Sequence, residues 1–389
     1  ALACGSPGEL AQAPELTVTS RALPSAPVEL TPESVRTRQP VTRTPWLSPT
    51  PDPEPGQPSP VHDWPTSTPE EQGIDSEGLA DMLAAILEHG YRIDGILIVR
   101  HGRLVLEAYQ YPYGGDSLHS IHSCTKSVLS ALIGIAIDQG FIEGVDQQVL
   151  DLLPGRTAAN LDERKSQMTL EDLLTMTTGL ECRDSYLYRW SGLDEMRRSA
   201  DWVQFMLDLP MTEKPGTRFE YCNGASFLLS AILQEATGMN ALAFSHEHLF
   251  GPLGITAVEW PSNPQGISTG WGGLEMHPSD MAKFGLLFLR EGQWGEQHLV
   301  PAAWVEASTR KHIPATLQDG YGYQWWIAEN GVYMALGYGG QFIFVSPSLD
   351  MVVVVVSDLE ERDFYAPQDL LNEHIIPAAA STPLPPNPA

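Results

Sequence analysis

The sequence predicts an α+β fold: one antiparallel sheet built from strands at both ends of the chain, flanked by helices, with a large helical insertion. Three observations predict it. Near the start, two β-prone runs, Ile93–Arg100 and Arg103–Gln110, are separated only by His101-Gly102, which is a hairpin signal. Near the end, the runs Tyr321–Ile327, Tyr333–Leu336, Phe342–Val345 and Met351–Val356 follow one another through short turns, which implies antiparallel pairing. Between these two groups, residues 145 to about 265 read as mostly helical.

Residues 1–67 form a tail and linker rich in Pro, Ser and Thr; 15 of the chain's 32 prolines precede residue 70. Such a stretch buries too little apolar surface to offset its ordering entropy, and its prolines favour extended spacers. One globular domain is expected over residues 68–380, with its helical subdomain at about 145–275, and residues 381–389 form a Pro-rich tip. Ser76 to His89 carries Leu79, Met82, Leu83, Ile86 and Leu87 at helical spacing. Ser123–Gln139 reads as a helix with the apolar body Val128, Leu129, Ala131, Leu132, Ile135 and Ile137. Loops fall at Thr177-Thr178-Gly179, Lys214-Pro215-Gly216 and Gly251-Pro252-Leu253-Gly254. Pro278–Arg290, Pro301–Ser308 and a last stretch near Asp369–Ala378 read as further helices.

Composition narrows the function. Twenty-two Lys and Arg stand against 49 Asp and Glu, a formal charge of −27. Such a surface repels phosphate backbones, so nucleic acid is not expected as a partner. No apolar run reaches the roughly 18 residues that span a bilayer. Of the four cysteines, Cys4, Cys124, Cys182 and Cys222, none has zinc-site spacing. His246 and His248 form an HxH without further ligands nearby, and read as two surface helix histidines. No cofactor or metal is expected. The opening Ala-Leu-Ala-Cys-Gly-Ser resembles the end of a bacterial lipoprotein signal. It implies a lipidated Cys4, membrane anchoring and an extracytoplasmic location, with the Pro-rich tail holding the domain away from the membrane.

Three motifs carry candidate chemistry. The first is Ser123-Cys124-Thr125-Lys126, which puts Ser123 and Lys126 one helical turn apart on one face. A serine hydroxyl is a weak nucleophile at neutral pH, and a nearby amine can take its proton. A second copy, Ser308-Thr309-Arg310-Lys311, follows a helix end and runs into Pro314, so it opens no helix. The second motif is Tyr221-Cys222-Asn223, between a Pro-Gly loop and an apolar helix. A phenol beside a lysine ammonium is expected to have a lowered pKa and to shuttle protons. The third is Gly337-Tyr338-Gly339-Gly340-Gln341 ahead of a strand, where glycines let a substrate approach the backbone. In an oxidising compartment Cys182 and Cys222 are placed to bridge and fix the Tyr221 loop. Cys124 reads as a small packing residue.

In order and separation the three motifs resemble those of the serine β-lactamase and penicillin-binding superfamily, over roughly residues 68 to 380. Leu173–Leu180, Asp280–Gly285, Tyr321–Trp326 and Gly337–Gln341 are most similar to its class C-type branch, including esterases and 6-aminohexanoate-dimer hydrolases. The resemblance implies that Ser123 is acylated, that Lys126 and Tyr221 share acid and base work, and that Asn223 orients substrate or Lys126. It also implies an oxyanion hole made by the N–H groups of Ser123 and Gln341, with Tyr338, Gly339 and Gly340 beside the substrate. Tyr338 stands where β-lactamases carry a cation for the substrate carboxylate, which favours small esters and linear amides. The alternatives are a β-lactamase or D-Ala-D-Ala carboxypeptidase, or a non-catalytic binding protein. Tyr186, Tyr188, Trp271, Trp325 and Trp326 are offered as pocket aromatics. The sequence leaves oligomeric state open.

Overall fold

The computed structural model describes residues 64–184 and 191–387. In chain order it has α1 (Ser76–His89), β1 (Ile93–Arg100), β2 (Arg103–Tyr109), β3 (His119–Ser120) and α2 (Thr125–Asp138). The insertion carries α3 (Glu163–Ser166), α4 (Leu170–Leu174), α5 (Ser191–Arg198), α6 (Trp202–Asp208), α7 (Asn223–Thr237) and α8 (Ala241–Ser245), then β4 (Val258–Glu259) and β5 (Glu275–Met276). The chain returns through α9 (Pro278–Leu289), β6 (Gln293–Trp294), β7 (Gln297–His298) and α10 (Ala302–Thr309). Strands β8 (Gly320–Tyr321), β9 (Trp326–Ile327), β10 (Tyr333–Gly337), β11 (Gln341–Ser346) and β12 (Met351–Ser357) follow, and α11 (Ala366–Leu370) and α12 (Ile376–Ala378) close the fold.

The seven-stranded sheet has the order β2-β1-β12-β11-β10-β9-β8, and every pairing is antiparallel. The N-terminal hairpin is thus joined to the last strand, with Ile96 opposite Val355 and Ile98 opposite Val353. Every residue of β1, β11 and β12 is buried, so these central strands are covered on both sides. Each of the valines Val352 to Val356 adds about 1.5–3 kcal/mol relative to an exposed side chain. Helix α9 lies on β1, β11 and β12, and Gly285 permits the approach: a Cβ there would stand 2.6 Å from Val352 Cγ1.

Local rules account for the helix ends. Asp75 caps α1 by accepting from the Glu77 N–H, and Gly90 closes it at φ 66°. Thr169 and Asp172 cap α4 reciprocally. Two regions depart from the sequence expectation. Residues 145–162 form turns rather than helix, broken by Asp151, Pro154 and the left-handed Gly155 and Asn160. The fully buried Lys165 holds that loop: its ammonium donates to Ala159 O at 2.7 Å, Leu207 O at 2.9 Å and Leu209 O at 2.6 Å, satisfying carbonyls at the end of α6. The expected strand Tyr321–Ile327 is split into β8 and β9, because the chain turns at Gly322 and at Gln324, whose φ is 62°.

Candidate active site

Ser123 lies in a tight 3-10 turn, His122–Cys124, that leads into α2, so the helix itself begins two residues later than its motif suggested. The turn is held at a left-handed residue, His122 (φ 45°), a conformation that costs about 1–3 kcal/mol unless its surroundings impose it. The surroundings do so. Ile121 N donates to Leu274 O, and the Cys124 thiol lies 3.4 Å from Gln341 O. Gly337 passes so close that a Cβ would meet Ile121 O at 2.6 Å. The glycine that opens the third motif therefore lets β10 cross directly over the Ser123 turn.

Lys126 is buried, and its Nζ reaches Ser123 Oγ at 3.1 Å, Asn223 Oδ1 at 2.8 Å and Trp271 O at 2.7 Å. Burial pulls its pKa down to about 7, opposed by the charge of Asp184. A neutral amine has two N–H groups and one lone pair. Asn223 Oδ1 and Trp271 O can only accept, so they engage both N–H groups and leave the lone pair for the Ser123 hydroxyl. That is the arrangement a general base requires.

The Tyr221 hydroxyl is hydrogen-bonded to Ser123, and its ring lies under the Lys126 Nζ, 4.9 Å from the centroid. Trp326 stacks on the same ring at 5.9 Å. The expected lowering of the Tyr221 pKa is corrected: burial pushes the phenol up, and its hydrogen bond with Ser123 only partly opposes this. Of the two groups, the amine rather than the phenol is the one tuned toward neutrality. His122 is likewise held below its ordinary value by burial and by Lys126, so it stays uncharged near neutral pH.

The third motif forms the wall beside Ser123. Gly339 and Gly340 adopt φ of 74° and 85°, and Ser357 Oγ lies within hydrogen-bond reach of both their carbonyls, at 2.7 and 2.6 Å, with one hydrogen to donate between them. The Gln341 side chain turns away from Ser123 and exchanges hydrogen bonds with the Ser357 backbone. Tyr338 is half exposed and faces the His122 ring edge-on at 5.8 Å.

Among the expected site residues, Ser123, Lys126, Tyr221 and Asn223 converge, and Gly337 to Gln341 flank them. Cys182 and Cys222 form a disulfide, with Cα atoms 5.8 Å apart. It joins the Tyr221 loop to the segment after α4. Cys124 is fully buried, as a packing residue should be. The aromatic set divides. Trp325 belongs to the core, against Phe284 and Phe288, and is removed from the pocket list. Trp326 backs Tyr221, and Trp271 contributes its carbonyl and stacks near Trp202. Tyr186 and Tyr188 lie outside the described residues. Ser308 of the rival tetrapeptide is buried and donates to Val305 O, while Lys311 pairs with Asp319. His246 is exposed and His248 packs on Phe244, and neither belongs to a cluster of metal-ligand types among the described residues.

Two residues escaped the sequence reading. Gln324 bolts the helices behind the site together: its carbonyl accepts from Ser127 Oγ, its Oε1 from Ser226 Oγ, and its Nε2 donates to Leu173 O and Leu174 O. Asp184 is 1% exposed and accepts from the Asn223 N–H at 2.8 Å. Asp184 is a single polar residue in an irregular segment without a motif signal, and Gln324 lies in the Tyr321–Trp326 phrase that carries the resemblance, which assigns it no role. Among the described residues the metal-ligand types that cluster are Cys182, Asp184 and Cys222, whose sulfurs are bonded to each other.

Comparison with known proteins places this geometry in context. The family model described as Beta-lactamase matches residues 72–376. The chain is 24% identical to a 6-aminohexanoate-dimer hydrolase of Paenarthrobacter ureafaciens over 294 residues, 69% of this chain and 74% of that protein. Among solved structures it is similar in fold to EstCE1, a hydrolase with promiscuous acyltransferase activity, with a TM-score of 0.64 at 18% identity, covering 78% of this chain and 98% of the other. A family VIII carboxylesterase matches with a TM-score of 0.61 at 14% identity, covering 80% and 98%. At these identities the two structural likenesses establish the fold.

Proposed function

The chain belongs to the Beta-lactamase family, and from that premise we propose that it is a serine hydrolase cleaving small carboxylic esters or linear amides through an acyl-enzyme on Ser123. The observation that carries the reading is the Lys126 amine, 3.1 Å from Ser123 Oγ and bound on its other sides by two acceptors. As Oγ attacks the substrate carbonyl carbon, Lys126 takes its proton. The carbonyl π pair moves onto oxygen, where the N–H groups of Ser123 and Gln341 receive it. Collapse breaks the bond to the leaving group, which leaves with a proton passed from Lys126 through Tyr221. Water then loses a proton to the same pair, attacks the acyl carbon and frees Ser123. Ester and amide relatives of the kind matched here support the substrate class. Tyr338, at the position expected to hold a carboxylate-binding cation, supports esters and linear amides over β-lactams.

The disulfide between Cys182 and Cys222 supports an extracytoplasmic location, because such bonds persist in oxidising compartments. A lipidated Cys4 on the Pro-rich tail is the anchor we propose, and acylation of Cys4 in the precursor's product tests it. Among the described residues no single helix is long and apolar enough to cross a membrane.

The functional test is a substrate panel on the wild type and Ser123→Ala: p-nitrophenyl butyrate, a 6-aminohexanoate dimer and a chromogenic cephalosporin. Turnover of the first two that vanishes in Ser123→Ala is expected. Cephalosporin turnover far above ester turnover would instead favour the β-lactamase reading, and ester turnover untouched by the substitution would eliminate the mechanism.

A further inference from the structure

The roles assigned so far leave Asp184 unused. It is buried in the segment that follows α4, two residues past Cys182. Its Oδ2 accepts from Asn223 N at 2.8 Å and its Oδ1 accepts from Leu193 N at 2.7 Å, and the Asn223 side chain lies beside it. The other end of that same amide, Asn223 Oδ1, accepts from Lys126. We propose that Asp184 is a positioning residue of this site: it holds the Asn223 amide with its oxygen toward Lys126, and so aims the lysine lone pair at Ser123.

The chemistry of the groups makes the case. A carboxylate only accepts hydrogen bonds, so beside the Asn223 amide it selects Nδ2 and forces Oδ1 to the opposite side. With the amide reversed, Nδ2 would face Lys126 and compete with the Ser123 hydroxyl for the amine's lone pair. The disulfide holds the arrangement together, since Cys182 and Cys222 neighbour Asp184 and Asn223 along the chain.

Asp184 also acts by charge. The titratable groups facing Lys126 are Asp184, Tyr221 before α7, and Cys124 and His122 on its own turn. Burial raises the pKa of Tyr221, and of Cys124 as well, so both are neutral near pH 7, and burial with Lys126 keeps His122 neutral. The remaining charge is that of Asp184, which favours the protonated lysine against desolvation. Its removal should therefore shift Lys126 toward the neutral form at a lower pH while disturbing its aim.

The experiment reads the rate at which a fluorophosphonate labels Ser123, as a function of pH, in wild type, Asp184→Asn and Asp184→Glu. It needs no assumption about the natural substrate. Asp184→Asn keeps the shape, but its amide admits either orientation of Asn223. Labelling at the plateau is expected to fall about tenfold or more, with the acid limb displaced to lower pH by on the order of one unit. Asp184→Glu, which keeps the charge, should leave the limb near its wild-type position. In an Asn223→Ala background, Asp184→Asn should lower the plateau little further, because the two act in series. An acid limb that stays put or moves upward in Asp184→Asn, or full additivity with Asn223→Ala, overturns the inference. Loss of thermal stability alone, with an unmoved limb, also overturns it. Wild-type protein that takes no label on Ser123 overturns the hydrolase reading together with this one, so the two failures are distinct.

Discussion

Lys126 is the residue on which the site turns, and its burial sets how activity depends on pH. With its pKa drawn down to about 7, it is protonated below that value and has no lone pair for Ser123. kcat/KM for an ester should therefore rise as pH increases through about 7 and be lost as pH falls through it. A rate that stays flat across about pH 5 to 9 would contradict the assignment. Tyr221→Phe keeps the ring on Trp326 but removes the hydroxyl bonded to Ser123. It should lower kcat by about 10²–10⁴-fold with little change in melting temperature; near-normal kcat would remove Tyr221 from the proton path. Ser123, Lys126, Tyr221 and Asn223 were legible in the sequence because each sits in a short, locally spaced motif. The roles of Asp184 and Gln324 were not, because they come from partners far along the chain, Asn223 at 39 residues from Asp184 and Ser127 at 197 from Gln324. The Tyr221 pKa was misjudged because a motif shows a neighbouring charge and does not show burial.

At the scale of elements, the site is a junction of three segments: the turn into α2, the loop into α7 and the turn between β10 and β11. The disulfide between Cys182 and Cys222 ties the second to the segment carrying Asp184. Its sequence separation of 40 residues corresponds to roughly 4 kcal/mol of loop-closure stabilisation in the chain-entropy view. The double variant Cys182→Ala, Cys222→Ala should melt several degrees lower and lose kcat more than it raises KM. An unchanged melting curve and unchanged kcat would show that the bond holds nothing the site depends on. Helices with apolar stripes and clean caps, such as α1, were readable from spacing. The stretch 145–162 was not: its polar turns are held by the ammonium of Lys165, a tertiary contact to the end of α6. The break between β8 and β9 was hidden for the same reason, since Gln324 turns inward to bond three helices.

At the scale of the molecule, the fold was legible because its two ends announce themselves as strands and its middle as helices. The antiparallel sheet joins β1 to β12, and Arg100 closes the seam by donating to Gly73 O and Ala380 O. That seam fixes β10 and β11, whose connecting turn meets Ser123. The central claim is that Ser123, backed by Lys126, carries the acyl group between the two halves of the reaction. The most direct measurement is mass spectrometry of protein quenched in acid within milliseconds to seconds of mixing with excess p-nitrophenyl butyrate, followed by peptide mapping. The account predicts one added butyryl group on the peptide containing Ser123, and none in Ser123→Ala or Lys126→Ala. A butyryl group mapped to any other residue, or ester turnover in protein that never carries one, would contradict it.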